Sequence, residues 1–187
     1  MSVGAAWYDW AMVPAPASVL LLIDVQRNML APPDPVPGAD AVYATIQDLL
    51  DRARSQGAAV VHVRNNGPAG GPDAPGTPGW ELMIDPGPGE PVIDKTHQNA
   101  FAGTELAAAL PVGASLLLAG MQSEYCVRST ALAALDRGHA VTLVRGGHAT
   151  YDDDTPARET VDRIETELTG RGVRLAQPGE VTFGPPA

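Results

Sequence analysis

Leu116–Thr130 reads LLLAGMQSEYCVRST. The apolar run at its start has no alternation, which fits a strand buried on both faces of a parallel sheet. Gly120 breaks the run, and a helical pattern resumes at Cys126, the chain's one cysteine. A strand that turns at a glycine and delivers a thiol to a helix start is a plausible way to build a nucleophile. Partial positive charge and free N–H groups at a helix N-terminus favour thiolate over thiol. A lone cysteine is also commonly a small buried hydrophobe, so the reading depends on what the rest of the chain brings to it.

Outward from this stretch, strands and helices alternate. Val19–Ile23 is a second unbroken aliphatic run, ending at Asp24. Residues 39–56 place Val42, Ile46, Leu49, Leu50 and Ala53 on one helical face, with Gly57 at the C-terminal end. Strands are expected at 58–63, 91–94, 115–119, 140–144 and 173–175. Helices are expected at 103–110, 126–137 and 155–169, the last with Pro156 in its first turn. The pattern predicts an α/β fold of three layers, α-β-α: a six-stranded, mostly parallel sheet with helices on both faces. Residues 1–17, with Trp7, Tyr8 and Trp10, read as an N-terminal arm, and 18–187 as a single domain. Residues 65–91 are rich in glycine and proline and lack periodicity. A loop that long in a compact domain is usually functional, and Trp80, Leu82 and Met83 would let it fold over a site as a lid.

Composition narrows the function classes. With 12 basic against 22 acidic residues the net charge is −10, which argues against nucleic acid or an anionic membrane as partner. No run approaches the roughly 20 apolar residues of a membrane span. The start of the chain lacks a signal-peptide pattern, so a cytoplasmic, reducing location is expected. One cysteine excludes an internal disulfide and a multi-cysteine zinc site.

In an open α/β sheet, ligands bind beyond the carboxyl ends of the strands. Asp24, Lys95 and Cys126 all fall there. Each alone has an ordinary structural explanation; together they supply a base, a cation and a nucleophile at one edge. The stretches that carry them, LLLIDVQRNML, VIDKTHQNAF and LAGMQSEYCVRSTALAALDRGHAVTLV, resemble the isochorismatase-like cysteine hydrolases. That family includes nicotinamidases, N-carbamoylsarcosine amidohydrolase and streptothricin hydrolase. The resemblance spans about residues 18–175 and implies a Cys-Asp-Lys triad. Asp24 would take the thiol proton, Lys95 would stabilise both anions, and Cys126 would attack a carbonyl to give an acyl intermediate. It also implies a cis peptide at Met121–Gln122, aiming the N–H groups of Gln122 and Cys126 as an oxyanion hole.

The chain departs from nicotinamidases after the second strand, where it reads HVRNNGPAGGPDAPG and lacks their metal-binding Asp-x-His. No metal and no cofactor are expected. His62 reads as a core residue, and His97 is retained as a pocket candidate. Residues expected to contact substrate are Gln26, Trp80, Asn99, Phe101 and Tyr125, with Gln122 beside them. The cysteine favours hydrolysis of a C–N bond in a small-molecule amide or lactam, as in streptothricin hydrolase. Isochorismatase-type ether hydrolysis and a catalytically silent binding homologue stand as alternatives. The resemblance further implies a homo-oligomer, dimer or tetramer.

Overall fold

The computed structural model describes residues 17–185; the arm with Trp7, Tyr8 and Trp10 lies outside the described residues. Within them the elements run β1 (Val19–Ile23), α1 (Arg27–Leu30), α2 (Ala39–Ser55), β2 (Ala59–Asn65), β3 (Val92–Lys95) and α3 (Leu106–Ala109). Then follow β4 (Ser115–Met121), α4 (Arg128–Leu135), β5 (Ala140–Ala149), α5 (Ala157–Gly170) and β6 (Arg174–Ala176). The six strands form one sheet in the order β3-β2-β1-β4-β5-β6, and every pair is parallel.

Side-chain alternation along β1 divides the core. Leu20 and Leu22 join α1 and α2 on one face. Val19, Leu21 and Ile23 join Leu106, Val127, Ala131, Ile164 and Leu168 on the other. All five β1 side chains are buried, each worth about 1.5–3 kcal/mol of transfer free energy. A strand covered on both sides has no polar face to alternate with, which is why its sequence is an unbroken aliphatic run.

The strand order reverses direction between β1 and β4, so their carboxyl ends border the crevice of the sheet. Gly120 is required there: its φ is +132°, and a Cβ would run into the Ile23 carbonyl oxygen of β1. On the far side of β4 the register with β5 jumps, from Leu118 opposite Leu143 to Gly120 opposite His148. The irregularity lets β5 continue to Ala149 instead of stopping at Val144, bringing His148 and Thr150 alongside the turn after β4.

Three boundaries differ from the sequence expectation in ways that matter. Lys95 is the last residue of β3 rather than the residue after it. The helix expected over 103–110 is a single turn. Cys126 does not open a helix: it sits inside a π-helical turn, Ser123–Val127, and α4 starts only at Arg128.

The 65–91 loop is tied down at several points. Gln26 donates from Nε2 to the carbonyls of Asn65 and Trp80 at 3.1 and 3.0 Å, and accepts from the Asn65 N–H at 2.8 Å. The Met83 N–H donates to the Val25 carbonyl at 2.9 Å. Trp80 packs under Arg64, whose guanidinium carbon lies 3.5 Å from the ring centroid.

Candidate active site

Three strand ends bring their side chains to one point. The Lys95 Nζ lies 2.8 Å from Asp24 Oδ2 and donates to Cys126 Sγ at 3.2 Å and to Asn65 Oδ1 at 3.0 Å. Asp24 and Lys95 are each only 2% exposed. Asp24 holds a left-handed backbone, φ +51°, alone among the described non-glycine residues. A short polar side chain tolerates that region better than most, and its occurrence at a strand end is typical of functional positions.

The electrostatics of the cluster are unbalanced. One ammonium serves two groups that can each carry negative charge. Burial raises the Asp24 carboxyl above its ordinary value, and Lys95 opposes only part of that. Burial and the Asp24 charge push the Cys126 thiol up to about 12. The resting sulfur therefore keeps its proton, contrary to the thiolate expected from a helix N-terminus. The π turn and the neighbouring carboxylate remove that advantage. Asp24 Oδ1 is buried and has no hydrogen-bond partner among the described residues, which leaves it free to accept a proton. Moving the thiol proton to the carboxylate keeps one anion beside one cation, so the exchange adds no net buried charge.

The turn that presents Cys126 is braced from β5. His148 Nδ1 and Ser123 Oγ are 2.8 Å apart, both residues buried. Thr150 Oγ1 lies 2.8 Å from Glu124 Oε1 and 3.3 Å from Gln122 Oε1. The Met121–Gln122 peptide is cis. A cavity of about 90 Å³ opens over this floor, lined by Asp24, Asn28, Asn65, Gln122, Tyr125 and Cys126 among others.

Of the five residues expected to contact substrate, Tyr125 lines this cavity and is 44% exposed. The other four stand elsewhere among the described residues. Gln26 is fully buried and holds the 65–91 loop. Trp80 donates from Nε1 to Asn66 Oδ1 at 2.6 Å and stacks with Arg64. Asn99 accepts the Phe101 N–H at 2.9 Å as a local turn cap. Phe101 is a core residue, stacked on His139 beneath Arg137. His97 is exposed, and His62 pairs with Glu90 at 2.9 Å. Among the described residues, no three His, Cys, Asp or Glu side chains gather in a metal-binding group.

Sequence reasoning missed Asn65, Asp73, Asn28 and Met29. Asn65 was findable, because it ends β2 just as Lys95 ends β3. Asp73 carried no signal. It reaches the site from an irregular loop, where Asn65 Nδ2 donates to its Oδ2 at 2.6 Å.

The match to known proteins covers the same region. Residues 18–171 match the isochorismatase domain family. Two streptothricin hydrolases from Streptomyces noursei are each 42% identical, over 92% and 90% of this chain. The chain spans 69% of the length of one and 62% of the other. Among solved structures, an isochorismatase from Pseudomonas putida KT2440 superposes with a TM-score of 0.82 at 30% identity, covering 90% of this chain and 93% of that one. With the family model spanning β1 through α5, five of the six strands, and relatives of the same kind, this chain belongs to the isochorismatase family.

Proposed function

We propose that the protein is a cysteine-dependent hydrolase of a C–N bond in a small-molecule amide or lactam, with streptothricin-type lactams as the leading substrate class. The observation that carries this reading is Lys95 Nζ set between Asp24 and Cys126, at 2.8 and 3.2 Å, on the floor of a cavity.

Asp24 takes the thiol proton as Cys126 Sγ attacks the carbonyl carbon. Lys95 keeps the displaced negative charge paired while it moves from carboxylate to sulfur. The tetrahedral oxyanion is held by the N–H groups of Gln122 and Cys126. As it collapses, the C–N bond breaks and the leaving nitrogen receives the proton from Asp24. A water then attacks the thioester, giving a proton to Asp24. Release of the carboxylic acid returns that proton to the thiol. In a lactam the amine and the new carboxylate remain on one molecule, so the product differs from the substrate by one water. The two streptothricin hydrolase relatives support the lactam class, and the raised thiol and raised carboxylate support a resting Cys–SH with an adjacent base.

Intact-mass spectrometry during turnover of a streptothricin-type lactam tests the reading. A transient adduct on Cys126 with the mass of the whole lactam is expected, because the ring-opened amine stays on the acyl group. In Cys126→Ala both adduct and turnover should disappear, with a loss of at least about a thousandfold. Turnover that persists in that variant would overturn the nucleophile assignment.

A further inference from the structure

The chamber over Cys126 is too small for the whole of a drug-sized substrate. Its volume is about 90 Å³, whereas sites for such molecules run to about 300–1,000 Å³. A second cavity, of about 640 Å³, adjoins it. The two share Asn28, Met29, Asp73 and Gln122 as walls. A molecule whose scissile amide reaches Cys126 must therefore place the rest of itself in the outer cavity.

The outer walls are rich in acceptors. Asp73 stands at the junction and Asp34 farther out. The cation on this wall, Arg27, is engaged by Glu81, Nε to Oε2 at 3.3 Å. Tyr151 fixes the arrangement, its hydroxyl donating toward the backbone carbonyls of Asp34 and Asn28 at 2.9 and 3.2 Å. Apolar surface comes from the prolines at 32, 33, 72 and 78. Two carboxylates over a proline-lined hollow suit a ligand with an apolar stem and a cationic head.

Asp73 is also wired to the chemistry. Asn65 bridges it to Lys95, donating to Asp73 Oδ2 at 2.6 Å and accepting from Lys95 Nζ at 3.0 Å. The Asp73 charge makes ionisation of Asp24 harder, so a cation docked on Asp73 reports its presence to the base. The buried Asp24, with its unpartnered Oδ1, lines the inner end of the same path.

We infer that the outer cavity is a substrate subsite for a protonated amine or guanidinium, with Asp73 as its main counter-charge and Asp34 as a further acceptor. The substrate is then an amide or lactam carrying a cationic group several bonds from the scissile bond. This rests on the amidase reading for which end of the ligand enters the chamber.

The test separates the two. Dissociation constants of 6-aminohexanamide and its N-acetylated form are measured by ligand-observed NMR on Cys126→Ser, which needs no turnover. The ammonium form should bind at least about fivefold tighter, and added salt should narrow the ratio. Asp73→Asn keeps an acceptor for Asn65 while removing the charge, and should bring the ratio close to one. Equal affinities in Cys126→Ser, or a ratio that survives Asp73→Asn, would overturn the subsite. Turnover of either amide by the unsubstituted protein is followed separately. Its failure would count against the amidase reading while leaving the binding ratio to decide the subsite.

Discussion

β2 and its neighbours hold two ionic clusters, one partly exposed around Glu90 and one buried around Asp24, that use the same chemistry to opposite ends. At one, Glu90 is answered on both oxygens. Arg54 donates to Oε1 and Oε2 at 2.7 and 2.8 Å, the Gly87 N–H donates to Oε2 at 2.7 Å, and His62 Nε2 lies 2.9 Å from Oε2. The Arg54 hydrogen bonds, with the others, hold the Glu90 carboxyl down at about 2. Burial lowers His62, so it donates as a neutral ring. At the other cluster, Asp24 has one charged partner on Oδ2 and none on Oδ1, and its carboxyl is raised. The matched cluster stabilises the fold. The unmatched one suits the proposed mechanism, in which a proton and a charge move between Asp24 and Cys126.

That contrast fails or sharpens under substitution, beginning with the largest effect. Lys95→Met should abolish turnover and destabilise the protein by about 3–5 kcal/mol at neutral pH, since it strands a buried carboxylate. Without Lys95 the folded-state pKa of Asp24 rises further above the unfolded value. The folded state then binds the extra proton, so stability falls as pH rises through the interval. The deficit in urea melts should therefore be greatest at neutral pH and shrink as the pH is lowered toward 3.8, the ordinary carboxylate value. A deficit independent of pH would mean that Asp24 is not the group left uncompensated.

Glu90→Gln should cost less, about 1.5–3 kcal/mol, through lost charge-assisted hydrogen bonds, and should leave turnover nearly intact. Here the sign reverses. A carboxylate with a lowered folded-state pKa stabilises fully above its unfolded value of 4.5, and the contribution is lost as pH falls toward about 2. Melts of the two proteins should differ most above pH 4.5 and converge toward pH 2. A large loss of activity in this variant would erase the distinction between the clusters.

Much of this was legible in the sequence, for identifiable reasons. β1 and β4 are covered on both faces, so their aliphatic runs announced a central parallel sheet, and strand ends located Asp24, Lys95 and Cys126. The turn around Cys126 was less readable. A π turn uses the same residue types as an α-helix, and its five-residue spacing comes from packing against β5. His148 and Thr150 reach that turn only through a register jump that no local pattern encodes. Phe101 and Trp80 were misplaced because an aromatic residue near a site suits a pocket wall and a core equally. Phe101 packs with His139, and Trp80 is taken up by Arg64 and Asn66. Asp73 was invisible because its position depends on the course of a loop without periodicity.

In the proposed mechanism Asp24 keeps the proton on sulfur at rest and receives it during attack. Thiolate absorbance at 240 nm, followed from pH 6 to 10 in the unsubstituted protein and in Asp24→Asn, tests it most directly. With Asp24 intact the thiol is held up near 12, so little thiolate should form across this range. Asp24→Asn removes the competing anion and leaves Lys95 beside the sulfur, so thiolate should appear at distinctly lower pH while turnover is lost. A variant thiol that ionises no earlier than that of the unsubstituted protein, or thiolate already present in the unsubstituted protein at pH 7, would contradict this role for Asp24.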